Sequence, residues 1–219
     1  MSALLPPARV KICGLSTPET VEAALAAGAD WIGLVHFPRS PRHVAFDQAS
    51  HLSAQARGRA ERVVLLVDPD DAMVRAAIEA VDPDLIQLHG RESPERVSAI
   101  RALAGRPVMK AIGVAARADL TAIPAYAGVA DRILLDAKPP ARAALPGGNG
   151  HRFDWSILDG ADLPAGTMLS GGLDAGNVSE ALSRTGLGAA DVSSGVETAP
   201  GFKDPERIAA FVAAVRAAR

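Results

Sequence analysis

Four residues that could do chemistry end short aliphatic runs: Cys13 after Val10-Lys11-Ile12, Asp136 after Ile133-Leu134-Leu135, Ser170 after Met168-Leu169, and Ser193 after Ala190-Asp191-Val192. A thiol and a carboxyl held across a small space can divide a proton transfer between a base and an acid. Gly171-Gly172 follows the first of these serines, and Ser194-Gly195 follows the second. Without Cβ atoms, such segments let backbone N–H groups close on an anion, and the two together suit a phosphate. Either segment alone is equally well explained as a tight turn.

The elements that must carry these residues are β-type runs at Val10–Cys13, Trp31–His36, Arg62–Val67, Leu85–His89, Val108–Val114, Arg132–Asp136, Thr167–Ser170 and Ala189–Ser193. Between them lie Ala-rich amphipathic stretches such as Pro18–Ala27, Asp70–Ala80, Pro94–Leu103 and Asp204–Ala218. Several open on Ser, Thr or Asp followed by Pro, which is N-cap and first-turn chemistry. Strand-helix alternation with apolar strands indicates a parallel sheet, and eight units describe a single-domain α/β (β/α)8 barrel better than an open doubly wound sheet. Residues 1–8 form an N-terminal extension to it.

In that barrel the active site lies at the C-terminal ends of the strands, and the loops after strands 7 and 8 commonly hold phosphate. The strand ends here carry Cys13, His36, Asp68, Gln87 with His89, Asp136, Ser170 and Ser193. Period-2 alternation turns Lys11 and Cys13 inward, with Val10 and Ile12 outward; Arg132, Leu134 and Asp136 also face in. Two long connections, Phe37–Ala45 with Arg39, Arg42 and His43, and the Gly/Pro-rich Lys138–Gly150, belong on the same face. A short extra helix after strand 8 would aim its N-terminal end at the phosphate.

Composition narrows the partners. The 219 residues are 48% hydrophobic and 22% charged, enough apolar material for one sizeable core. Basic and acidic residues are interspersed and the formal net charge is -2, so there is no footprint for nucleic acid or an anionic membrane. No apolar run approaches the roughly 20 residues that span a bilayer. A single cysteine excludes an internal disulfide, and the opening Met1–Pro7 is too short and proline-broken for a signal peptide, which makes the cytoplasm the expected compartment. The five histidines lack HExxH spacing and no G-x-G-x-x-G follows the first strand, so neither a metal nor a cofactor is expected. The partner is a small phosphorylated molecule, and a monomer is favoured over a homodimer.

Plainer roles compete at each position. A lone cysteine is more often a small buried hydrophobe, an aspartate after a strand more often a loop cap, and Arg42 would ordinarily be a solvated charge. Gln87, His89 and Asp191 could be polar groups satisfying one another inside the barrel. Lys11, Lys110 and Arg132 read as interior charges paired with carboxylates such as Asp191.

Taken in order, the motifs Val10-Lys11-Ile12-Cys13-Gly14-Leu15, Ser40-Pro41-Arg42-His43-Val44, Gln87-Leu88-His89-Gly90 and Leu135-Asp136 are joined by Gly147-Gly148-Asn149-Gly150, Phe153-Asp154-Trp155, Leu169-Ser170-Gly171-Gly172-Leu173 and Asp191-Val192-Ser193-Ser194-Gly195-Val196-Glu197. From Arg9 to Phe211 the chain resembles the phosphoribosylanthranilate isomerases of tryptophan biosynthesis. The resemblance implies an Amadori rearrangement with Cys13 as general base, Asp136 as general acid and Arg42 on the anthranilate carboxylate, a task that fork geometry suits. Gln87, His89 and Asp191 are secondary substrate contacts, and Gly171, Gly172, Ser193, Ser194 and Gly195 would hold the phosphate.

The pair makes opposed demands. A thiol near pKa about 8.5 must become thiolate, and a carboxyl near about 3.9 must carry a proton. Burial and nearby negative charge are expected around Asp136, and a cation or backbone amides around Cys13. Other phosphosugar barrels, such as ribulose-phosphate epimerases or indole-glycerol-phosphate synthases, call for paired aspartates with metal-binding histidines or for a catalytic lysine. The related histidine-pathway isomerase has an aspartate where this chain has Cys13, and a second phosphate site. A barrel that binds a phosphorylated ligand without turnover is the reading outside catalysis.

Overall fold

The computed structural model describes residues 7–138, 147, 148, 150 and 152–218. Strands β1 (Arg9–Cys13), β2 (Trp31–Val35), β3 (Glu61–Leu66), β4 (Leu85–Leu88), β5 (Val108–Val114), β6 (Arg132–Ala137), β7 (Met168–Leu169) and β8 (Ala189–Val192) pair in sequence order, all parallel. The barrel closes where β8 returns to β1, with Lys11 opposite Asp191. Most of the expected N-terminal extension, residues 139–146 and 149 of the expected long loop, and residue 151 lie outside the described residues.

Helices α1 (Pro18–Ala27), α2 (Phe46–Ala56), α3 (Asp71–Val81), α4 (Pro94–Ala104), α5 (Ile123–Ala127), α6 (Val178–Thr185) and α7 (Pro205–Ala217) surround the barrel. The cap chemistry works as the sequence indicates: Thr17, Asp70, Ser93 and Asp204 each accept a backbone N–H of the first turn, and Pro opens α1, α4 and α7. No described helix is long and apolar enough to cross a membrane.

Three departures from simple alternation have local causes. Strand β7 spans two residues rather than Thr167–Ser170, because Gly171 and Gly172 take φ of 88° and 62° and turn the chain out of the ladder. Ser170 N–H still reaches Leu135 O at 2.8 Å. Between β6 and β7 the described residues hold a 3-10 turn, Trp155–Leu158, and no α-helix. A hairpin of β9 (Glu197–Ala199) and β10 (Phe202–Lys203), turning at Pro200-Gly201, follows β8.

Alternation along the strands builds two apolar shells. Val10, Ile12, Ile133 and Leu135 face out against helix residues such as Val21, Ala77, Ile100 and Phe211, while Trp31, Val63, Leu85, Met109, Leu134 and Met168 fill the barrel. Each fully buried aliphatic side chain in these shells contributes roughly 1.5–3 kcal/mol. At the lower end the Arg9 guanidinium stacks 3.7 Å over Trp31, whose indole N–H donates to Glu61 at 2.8 Å.

Of the expected interior charges, Arg132 changes its setting, and Lys110 is buried on a carboxylate as expected but on the outer face of the barrel. Arg132 lies 5.3 Å from the Trp31 ring rather than on a described carboxylate. Lys110 faces outward, because its neighbours Met109 and Ala111 face in. Its Nζ donates to Glu92 at 2.7 Å and to Gly90 O at 2.8 Å. Glu92 also accepts the Asp68 and Gly90 N–H groups, which ties the loops after β3 and β4 together beneath the mouth. Glu92→Ala strands a buried lysine and two amides, and is expected to cost about 3 kcal/mol in urea unfolding. Glu92→Leu with Lys110→Met should recover most of that loss; a cost below about 1 kcal/mol for the single change would show that the tie is not structural.

Candidate active site

Above the inner shell, the C-terminal ends of the strands surround a cavity that opens to solvent. Cys13, Gln87, His89, Asp136, Ser170 and Ser193 all line it, from four different strand ends and the β8 loop. His36 and Asp68 do not. Each follows an inward residue, Val35 or Val67, so alternation turns them out. His36 stacks on Phe46 and contacts Val44 O, while Asp68 accepts the Arg91 N–H.

Cys13 sits with Val35 and Leu65 on the apolar wall and is 4% exposed. Beneath it, fully buried, Lys11 donates to Asp191 Oδ1 at 2.8 Å, and Asp191 Oδ2 lies 3.2 Å from Ser170 Oγ. Burial raises the Cys13 thiol above its ordinary value; Lys11 opposes this most strongly, Asp191 reinforces it and Lys203 opposes it more weakly. Burial works against the Lys11 charge as well, yet Asp191 and Cys13 hold the ammonium above the ordinary lysine value.

Asp136, at the end of β6, accepts the Ala137 N–H at 2.9 Å and lies 3.2 Å from His89 Nε2. It is buried, as expected, and its immediate protein contacts are a backbone N–H and the imidazole. Gln87 Nε2 lies 3.0 Å from His89 Nδ1, so with the amide donating, the imidazole carries its hydrogen on Nε2, towards Asp136. Gln87 Oε1 is buried with no partner among the described residues. Gly147 crosses directly over this row: a Cβ there would lie 2.5 Å from His89 Nε2 and 2.6 Å from Asp136 Oδ2.

Arg42 reaches the cavity from the loop after β2, but its fork is already engaged. Its Nε and Nη2 donate to the two oxygens of Glu197 at 2.7 and 2.8 Å, and Nη2 also reaches Gly148 O at 3.2 Å. What remains for a ligand is the Nη1 side. Lys203, also buried, donates to Glu197 at 2.7 Å and to Ser193 O at 2.9 Å. Although burial acts the other way, Arg42 and Lys203 hold Glu197 below the ordinary carboxylate value. Glu197 and Lys203 are functional neighbours that the sequence reading passed over. The Pro200-Gly201 turn between them was the available signal, because a hairpin there sets Glu197 opposite Lys203.

Gly171, Gly172, Ser193 and Ser194 line one end of the cavity. The backbone N–H groups of Gly171, Gly172, Ser194 and Gly195 have no acceptor among the described residues. The extra helix after β8 is a single 3-10 turn, Ser194–Val196, so individual N–H groups rather than a long helix dipole face an anion. Gly195 stands one step back: a Cβ there would overlap the Leu173 carbonyl oxygen, so the bare backbone lets the two loops meet.

Proton transfer on a small phosphorylated molecule is the chemistry such a mouth supports, which places the chain among the phosphate-binding barrel enzymes. Residues 10–214 match the sequence model described as N-(5'-phosphoribosyl)anthranilate (PRA) isomerase. The protein of that name from Azorhizobium caulinodans is 66% identical over 95% of this chain and 92% of its own, and one from Rhodopseudomonas palustris is 60% identical over 95% of both. The crystal structure of phosphoribosyl anthranilate isomerase from Thermotoga maritima superposes with a TM-score of 0.86 at 34% identity, covering 96% of this chain and 99% of that one. Another, in complex with reduced 1-(o-carboxyphenylamino)-1-deoxyribulose 5-phosphate, gives 0.82 at 31% identity over the same shares. The chain belongs to the N-(5'-phosphoribosyl)anthranilate isomerase family.

Gly171 gives the anion cradle a direct test. Its φ is 88° and a Cβ would fall 2.5 Å from the Ala137 backbone nitrogen, so alanine there strains the loop by roughly 1–3 kcal/mol. Gly171→Ala is expected to raise KM about tenfold and to weaken competitive inhibition by inorganic phosphate in parallel. Unchanged phosphate inhibition would remove the loop from the anion site.

Proposed function

We propose that Cys13 and Asp136 divide the proton transfers of the family's reaction in this chain. The enzyme isomerises N-(5-phospho-β-D-ribosyl)anthranilate to 1-(2-carboxyphenylamino)-1-deoxy-D-ribulose 5-phosphate, a step of L-tryptophan biosynthesis. The observation that carries the residue assignment is that Cys13 and Asp136, from strands far apart around the ring, line one cavity together with the loops after β7 and β8, whose amides have no acceptor among the described residues.

Asp136 gives a proton to the furanose ring oxygen as the C1'–O bond breaks, leaving a protonated Schiff base between C1' and the anthranilate nitrogen, which keeps its hydrogen. The contact from His89 Nε2 at 3.2 Å holds the Asp136 carboxyl in place for this transfer. Cys13 thiolate then removes the C2' proton, the electrons move into C2'=C1', and the Schiff-base nitrogen becomes the amine of an enolamine. Its tautomerisation yields the ketone, so the atoms balance with no external oxidant or reductant.

Gly171, Gly172, Ser193, Ser194 and Gly195 hold the phosphate in this reading, and Arg42 meets the anthranilate carboxylate through Nη1, which has no acceptor among the described residues. Gln87 Oε1 has room to accept from a sugar hydroxyl or the anilino N–H. A lone cysteine that must remain a thiol fits a reducing compartment, the cytoplasm.

Cys13→Ser and Asp136→Asn should each lower kcat at least about 100-fold with smaller changes in KM, measured by the loss of anthranilate fluorescence from freshly made substrate. Near wild-type kcat in either variant would sink that residue's role. A monomer is the assembly we favour, since Phe202 is the one large hydrophobic residue exposed among those described. Light scattering across a dilution series should give the mass of one chain, and a stable dimer mass would refute it.

A further inference from the structure

The cation nearest the proposed base is built into the seam of the barrel. Lys11 and Cys13 are two residues apart on the inner face of β1, and Asp191 is the register partner of Lys11 on β8. On the other side, Cys13 pairs in register with Gly33 of β2. A Cβ at Gly33 would lie 3.0 Å from both Cys13 Sγ and Lys11 Nζ. The missing side chain of β2 thus leaves the pocket into which ammonium and sulfur converge. Any other residue at position 33 would fill it.

We propose that Lys11 is a positioning residue for the base: anchored by Asp191, its ammonium stands under the Cys13 sulfur and favours the thiolate, while Asp191 limits that effect. A buried ammonium paired only for packing would not need to converge on a sulfur, and an apolar pair of similar volume would serve the core as well. The environment is otherwise poor for a thiolate. From β2 and β3 come Gly33, Val35 and Leu65, none charged. Lys203 of the hairpin is the other cation acting on Cys13, and it is committed to Glu197 and Ser193. Arg42 shares that carboxylate, and His89 and Asp136 face the thiol across the cavity. Lys11 is therefore the group whose removal should be felt most at the sulfur, and Asp191 the group whose removal should act in the opposite sense.

The proposal rests on Cys13 being the base, but the titration that tests it does not. Cys13 is the sole cysteine, so ultraviolet thiolate absorbance and the pH dependence of alkylation by iodoacetamide report on it alone. These are compared in the wild type, Lys11→Met, Asp191→Asn and the double variant. Lys11→Met should raise the thiol midpoint by about one unit or more, slow alkylation at neutral pH about tenfold, and move the acid limb of kcat/KM to higher pH. Asp191→Asn should lower the midpoint. Should Lys11→Met alone fail to fold, the step from Asp191→Asn to the double variant isolates Lys11, because that pair of proteins leaves no buried charge unpaired in the double. A midpoint unmoved by loss of Lys11 in both backgrounds overturns the proposal. A midpoint that moves while the kcat/KM limb stays fixed upholds the effect of Lys11 on the thiol and instead refutes Cys13 as the base.

Discussion

Where the last strand returns to the first, the barrel buries an ion pair. Lys11 and Asp191 meet at 2.8 Å across that seam, both nearly inaccessible to water. Two charges removed from solvent are costly unless each finds its partner, so the pair specifies one register of β8 against β1. That register decides what stands above it. Cys13 lies one layer up on β1, and the Ser193-Ser194 turn one layer up from Asp191. The proposed base and the anion cradle are neighbours because the seam makes them so.

A second buried charge cluster locks the rim. The β9–β10 hairpin carries Glu197 and Lys203, which grip Arg42 on one side and the Ser193 carbonyl on the other. At the hairpin's tip, Gly201 packs so closely on the Pro41 carbonyl that a side chain would overlap it. The loops after β2 and β8 therefore form one body, although Arg42 and Glu197 are 155 residues apart in the chain. A guanidinium held on its Nε edge by a carboxylate is pre-oriented, and presents a fixed direction to a ligand rather than a flexible charge. Preorganisation of this kind saves side-chain entropy on binding.

Across the cavity from Cys13, Gln87, His89 and Asp136 form a row linked by hydrogen bonds, and Gly147 passes over it without a side chain. The glycines therefore have distinct tasks. Gly33 makes room for two groups below the reacting space, Gly147 makes room above it, and Gly171 and Gly172 turn backbone amides towards the anion. At Gly33, Gly147 and Gly171 a Cβ would meet a functional atom or the backbone beside the cradle.

Much of this was legible in the sequence because the patterns involved are local. The eight aliphatic runs, the Thr17, Ser93 and Asp204 caps, and the inward parity of Lys11, Cys13, Leu134 and Asp136 all follow from period 2, period 3.6 and N-cap chemistry. Placing Cys13, Asp136, Gln87, His89 and Ser170 on one face needed only the rule that barrel sites lie at strand ends. His36 and Asp68 escaped that rule because each lies one residue beyond an inward side chain. Lys110 and Arg132 went to other partners than Asp191, since a lysine on an outward position and an arginine at the lower end cannot reach it. The engagement of Arg42 by Glu197, the hairpin that supplies Lys203, and the convergence of Lys11 and Cys13 over Gly33 were decided by tertiary structure alone. They are contacts between residues far apart in sequence, set by the closure of the barrel, and no local periodicity carries that distance.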